Sequence, residues 1–292
     1  MLNTFRVTVL SVIALGLYYT WVTGGAKTRF GRQAYTPSYP VACKINNAVG
    51  LTYDEGPSTV TKDILSYLAA ANVTATFHIV TVYLSNNLNL QSYVKAAYSA
   101  GHDIGLRFNT QMNAGNMTLA AFQAEIMAES QIIYNLIGVW PKFLRLGGVS
   151  TADIDAWCLS QGFVITSYAV DPMDYASAST SITATYSSYL SKLVGGQSFI
   201  SYESDLYTSA AQALPNTLGV IAGYSYNVVP LSKCLATPSY RTVAGSSSGG
   251  YVAGTSSATG TAVASKSDAT THIQFMSGFI ALMILGAALV ML

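Results

Sequence analysis

Charge is what this sequence has least of: Asp, Glu, Lys and Arg make up 9% of its 292 residues and leave a net charge of +1. That balance argues against nucleic-acid binding and gives no electrostatic footprint for a polyanion, because both need clustered basic side chains. Cysteine is scarce as well, limited to Cys43, Cys158 and Cys234. No internal repeat is present. What the chain does have is apolar bulk, 51% of its residues, with 20 tyrosines and many Ser and Thr. This is enough to bury one sizeable core. A sparsely charged surface rich in Tyr, Ser and Thr suits a neutral polymer such as a glycan.

Both ends differ from the middle. Residues 1–26 carry an early positive charge, an apolar run over Val7–Val22 and small residues at Gly24-Gly25-Ala26, the pattern of a secretory signal peptide. An uncleaved anchor helix is the alternative. Residues 27–42 form an N-terminal extension, and 43–241 the folded domain. Residues 242–272 are a stalk of Ser, Gly, Thr and Ala that cannot build a core. An apolar tail over 273–292 follows, with no basic cluster behind it, as in a glycosylphosphatidylinositol (GPI) signal with Ser265 as its favoured attachment residue. A true transmembrane helix is the alternative, against which the missing Lys/Arg speaks. The expected protein is secreted and membrane-anchored through the lipid. Asn72 and Asn116 head sequons available to glycosylation in such a chain. Cys158, on an expected helix among apolar neighbours, reads as a buried free thiol.

Between the ends, strand and helix patterns alternate. Strands are expected at Val49–Tyr53, Ala75–Val80, His102–Arg107, Phe143–Arg145, Phe163–Val170, Ser198–Ser201 and Tyr226–Val229. Helices are expected at Thr61–Ala71, Leu90–Ala100, Thr118–Ile137, Thr151–Gln161, Ile182–Leu193 and Leu206–Ala222, the last bent near Pro215. Such alternation implies an α/β fold, a parallel barrel with helices outside. Asp54 and Glu55 fall at the C-terminal end of the first strand, where such barrels place their sites. Adjacent carboxylates need a nearby cation or must hold a proton. The plainer reading is an exposed turn capping the next helix.

Thr52-Tyr53-Asp54-Glu55-Gly56-Pro57 resembles the first signature of the polysaccharide deacetylases, the NodB-homology or carbohydrate esterase family 4 enzymes. Phe199-Ile200-Ser201-Tyr202-Glu203-Ser204-Asp205-Leu206-Tyr207 is similar to a late signature of the fungal chitin deacetylases. The likeness runs from about Cys43 to Cys234. It implies a distorted, incomplete (β/α) barrel of the NodB type and a Cys43–Cys234 disulfide. It also implies a zinc-bound water attacking the acetamide of N-acetylglucosamine.

Carried over one position at a time, the roles are only partly filled. Asp54 stands at the general base. Glu55 stands at the ligand aspartate, with a methylene added, roughly 1.5 Å of reach where metal sites tolerate about 0.2 Å. The two ligand histidines, expected after Gly101-His102-Asp103-Ile104-Gly105, read Arg107 and Gln111. A guanidinium stays protonated and offers no lone pair. Arg145 keeps the arginine that orients the base, followed by Leu146-Gly147-Gly148 where the family has a proline and a groove aromatic. Asp171 and Asp174 keep the fourth signature. Ser204 replaces the acid histidine, and Tyr202 the leucine of the acetyl pocket. His78 reads as a lone hydrogen-bonded core ring.

The sum is a deacetylase relative without its zinc ligands. It would have no means of bringing a water pKa from about 15.7 to near 7 and no acid worth a further ~10²–10⁴-fold. The expectation is that Arg107 fills the metal position and pairs with Asp54 and Glu55, while Arg145 braces Asp54. Tyr175, Trp140 and Tyr202 would line a remnant groove for chitin or chitosan. Two other readings stay open, an active deacetylase using metal through Asp54, Glu55 and His78, and a structural or adhesive coat protein.

Overall fold

The computed structural model describes residues 38–109, 111–148 and 150–243. The leader, the stalk, the tail and Ser265 lie outside the described residues.

The first strand, β1 (Ala48–Asp54), is buried along its whole length, as a central parallel strand covered on both faces must be. One edge pairs in parallel with β7 (Phe199–Ser204). The other edge is shared: β8 (Asn227–Val229) takes its lower half and β2 (Thr76–Ile79) its upper half. The ladder continues through β3 (Asp103–Arg107), β5 (Phe143–Arg145) and β6 (Val164–Ile165), giving seven parallel strands in the order β6-β5-β3-β2-β1-β7 with β8 on β1. The sheet curls into a half-barrel. Its open seam lies between β6 and β7, and the segment before β1 runs through it: Ser167 N donates to Pro40 O at 2.9 Å and Ile200 N to Val41 O at 2.8 Å.

Strand periodicity sorts the side chains. Leu51, Tyr53, Phe77, Ile104, Leu106 and Leu144 face outward into the main apolar core, under helices that include α1 (Thr61–Ala70), α2 (Leu88–Ser99), α3 (Leu119–Ile137) and α4 (Ala152–Ser160). A second cluster of Val49, Tyr186, Phe199 and Ile221 lies beneath α5 (Ser179–Leu190) and α6 (Thr208–Gly223), which continues through Pro215. The alternate residues, Thr52, Asp54, Thr76, His78, Asp103, Arg107 and Arg145, are buried and polar, and they line the concave side. Among the described residues no helix is long and apolar enough to cross a membrane.

Helix ends follow the local chemistry. Thr118 and Thr151 cap α3 and α4 by accepting from Ala121 N and Ile154 N. Gly138 ends α3 in the left-handed conformation, with φ of 76°, which glycine adopts without a Cβ penalty. Two features were not expected from sequence. A short antiparallel pair, β4 (Trp140–Pro141) with β9 (Tyr240–Arg241), lies at the entry to β5. A single-turn helix, α7 (Leu231–Cys234), plugs the lower end of the half-barrel: Leu231 N donates to Thr76 Oγ1 at 2.8 Å and Ser232 N to Asp103 Oδ2 at 2.7 Å.

The plug carries the disulfide. Cys43 is bonded to Cys234, 191 residues away, and a Cβ on Gly50 would strike the Cys234 sulfur. Replacing both cysteines with serine should lower the unfolding free energy by roughly 2–4 kcal/mol, since the bridge closes a very long loop in the unfolded chain. Urea unfolding without reductant checks this, and an unchanged midpoint would refute it. Cys158 is free and buried, its thiol pushed up to about 12 by burial. Asn72 and Asn116 are both exposed.

Candidate functional site

The upper ends of the strands bring charged groups into one row. In register across the sheet, Asp54 stands opposite Ser204 on β7 and His78 on β2. Arg107 and Arg145 stand opposite each other on β3 and β5. Asp54 is fully buried. Its Oδ2 accepts a hydrogen bond from Arg145 Nη1 at 2.7 Å, and its Oδ1 lies 2.6 Å from His78 Nδ1. Burial acts most strongly on Asp54 and would raise its pKa, but Arg145, His78 and Arg107 together hold the carboxyl below its ordinary value. Burial pulls His78 down, against the opposing pull of Asp54, and keeps the imidazole neutral near pH 7. Gly105 makes room for the ring, because a Cβ there would meet His78 Cδ2 and the Phe143 carbonyl.

Arg107 sits differently from the expectation. Its one ion-pair contact among the described residues is Glu55, 3.6 Å from Nη2 to Oε1. It does not bond Asp54, because Arg145 and the His78 ring already occupy both carboxylate oxygens. Its Nε and Nη1 are buried without a hydrogen-bond partner. The guanidinium lies over Gly147, where a Cβ would collide with it and where φ is +60°. The glycine that stands at the family's proline position therefore shapes this seat. Glu55 is itself held at φ of +74°, a left-handed conformation uncommon for a residue with a side chain.

A cavity of about 250 Å³ opens above Arg107 and Arg145, walled by Thr166, Ser167, Tyr168 and Tyr202. The Tyr168 and Tyr202 rings lie 4.8 Å apart, tilted by 37°, and the Arg145 guanidinium lies 5.5 and 5.8 Å from their centres. Arg145 Nη2 also donates to Thr166 Oγ1 at 3.4 Å and to Ser167 O at 3.5 Å. β6 ends at Ile165 instead of running to Val170: past Thr166 the backbone leaves β5, and Ser167 N turns to Pro40 O beside the arginine. It rejoins the sheet at β7, where Ala169 N donates to Ile200 O at 2.9 Å and Val170 bridges to Ser201. Three larger grooves, about 540, 680 and 460 Å³, hold none of these groups.

The remaining expected site residues separate. Ser204 is buried beside Asp54; its N donates to Asp174 Oδ2 at 2.6 Å, and its Oγ accepts from Leu206 N at 3.3 Å. Asp174 thus fastens its loop to β7, while Asp171 closes a turn by accepting from Met173 N at 2.7 Å. Gln111 is exposed on the turn after β3, its backbone N bonded to the Asn109 side chain; it does not join the site. Tyr175 is 55% exposed on the loop that Asp174 anchors. Trp140 is no groove residue: it is buried at the opposite end of the strands, stacked on Tyr134 at 4.5 Å and covered by Arg241. His102 sits at that lower end too, accepting from Ala75 N at 3.0 Å.

Three more acids lie beneath the row. Glu203 accepts from Tyr186 Oη and Asp205 from Thr61 Oγ1, both at 2.6 Å. Burial pushes Glu203 up to about 8, Asp205 to about 7 and Asp174 to about 6. Sequence reasoning missed His78 as a direct contact of Asp54, having joined the two only through a metal, and Thr166, Ser167 and Tyr168 as cavity walls. Aligning the ends of the two parallel strands would have found the first. Nothing local announces the others.

The donor set does not fit a zinc ion. Asp54 is held by Arg145 and His78, Arg107 has no lone pair to give, and Gln111 faces solvent. Among the described residues no group of three or more His, Cys, Asp or Glu is placed to hold a metal.

Comparison with known proteins agrees with this architecture. Residues 42–155 match the family model for polysaccharide deacetylase. The chain is 23% identical over 222 residues to a chitin deacetylase of a Pestalotiopsis species, covering 74% of each protein. It is 30% identical over 134 residues to a peptidoglycan-N-acetylglucosamine deacetylase of Bacillus cereus, spanning 45% of this chain and 47% of that one. The solved chitin deacetylase of Colletotrichum lindemuthianum superposes with a TM-score of 0.62 at 21% identity, over 70% of this chain and 94% of that one. That is a likeness of fold.

Proposed function

We propose that this chain, which carries a polysaccharide deacetylase domain, is a catalytically silent relative of the chitin deacetylases that contacts a wall glycan from the cell surface. The observation that carries the reading is the closed grip on Asp54. A general base needs a free, reachable oxygen, and here Arg145 and His78 occupy both oxygens of a fully buried carboxylate. The guanidinium of Arg107 stands where a ligand histidine is expected and supplies charge without Lewis acidity. Ser204 cannot serve as an acid near pH 7. What remains is a concave cleft walled by tyrosines and hydroxyls, which suits a sugar. The sequence patterns of residues 1–26 and 242–292 support secretion and a GPI anchor.

Two measurements on the secreted protein test this. Metal analysis should find zinc far below one per chain. Acetate release from N-acetylglucosamine oligomers should not exceed the buffer rate, although the protein is retained on a chitin matrix. Stoichiometric zinc together with acetate release would reinstate the active enzyme. Failure to bind any wall glycan would favour the coat-protein reading.

A further inference from the structure

We infer that the cavity above Arg107 and Arg145 receives the carboxylate of an acidic sugar, a hexuronate unit. This rests on the reading of the cleft as a glycan-contacting surface and names the sugar class that it takes.

The charges are arranged with a direction. Both guanidinium groups wall the cavity, whereas Asp54 and Glu55 are not among its lining residues. Arg145 is anchored from behind by Asp54 yet keeps a buried Nε without a partner. Arg107 is more telling. It is 7% exposed, its Nε and Nη1 have no acceptor, and its nearest carboxylate is 3.6 Å away. A buried charged donor left without an acceptor is destabilising, so an acceptor arriving from outside relieves the arrangement. Guanidinium and carboxylate are a matched planar pair.

The other walls fit the rest of such a sugar. Tyr168 and Tyr202 offer ring faces, and Thr166 and Ser167 offer polar groups beside them. The volume, about 250 Å³, falls below the ~300–1,000 Å³ typical of drug-sized ligands, which limits the occupant to about one ring. The same cations disfavour the ammonium group of a deacetylated glucosamine.

The test is ligand-observed NMR titration of the full-length protein with D-glucuronate, D-glucose and the neutral tetramer of N-acetylglucosamine. Glucuronate should bind roughly ten- to a hundredfold more tightly than glucose, as expected of charge-assisted hydrogen bonds. Added salt should narrow that gap, and Arg107→Gln should remove it. Equal binding of glucose and glucuronate by the unmodified protein overturns the inference without any variant, as does unchanged glucuronate binding in a folded Arg107→Gln protein. If the tetramer binds and glucuronate does not, the acidic-sugar assignment falls and the glycan-contacting reading stands. If neither binds, both fall.

Discussion

Replacing Arg145 with methionine should lower the unfolding free energy by about 3–5 kcal/mol, the cost of stranding a buried charge by deleting its partner. Asp54 and Arg145 are both almost wholly inaccessible to water and meet at 2.7 Å. Without the cation, burial would drive the Asp54 carboxyl upward until it takes a proton. The double variant Asp54→Asn, Arg145→Met should therefore be more stable than Arg145→Met alone, because it removes the stranded charge. Urea denaturation of the three proteins measures this, and a loss below about 1 kcal/mol, the worth of a surface pair, would show that the pair does not hold the cleft together. By contrast, Arg107→Gln removes a group with one weak ion-pair contact and should cost far less.

Stability should also fall as pH rises from 6 to 9, by several kcal/mol in sum. Asp174, Asp205, Glu203 and Glu129 are raised by burial to about 6, 7, 8 and 8. Each keeps a proton in the folded state that the unfolded chain has already released above about pH 4–4.5. Their contribution is complete below that range and is lost as pH climbs through the folded values. His102, lowered to about 4 by burial, works in the opposite sense, but only up to its unfolded value near 6.5. Above that point the carboxyls act alone. Urea midpoints between pH 6 and 9 should decline steadily, and Glu203→Gln should shallow the decline. A flat profile would mean that these acids are ionised in the folded protein.

The fold was largely legible because the strands and α3 carry their own signals. Val49–Tyr53 is a buried run ended by Gly56-Pro57, and α3 has a threonine cap, an apolar stripe and a closing glycine. The seam between β6 and β7 was not legible. Residues 166–170 look like strand, but their backbone turns from β5 to Pro40 and then to β7, a tertiary effect absent from local pattern. The site divided in the same way. Asp54, Arg145 and Arg107 were found by their place at strand ends. Which cation would reach Asp54 was decided by strand register and by the space left at Gly105, neither of which a single position reveals. Trp140 was misplaced because an aromatic beside a proline reads alike at either end of a strand.

The clasp of β4 with β9 pins the C-terminal end of the described residues. Tyr240 and Arg241 are tied to the entry of β5, and the Tyr240 hydroxyl reaches the backbone of Ile104 at the start of β3. The last described segment thus emerges on the far side of the domain from the arginine-walled hollow. Coupling the domain to a bead or sensor surface just after Val243 would leave that hollow turned toward whatever flows past.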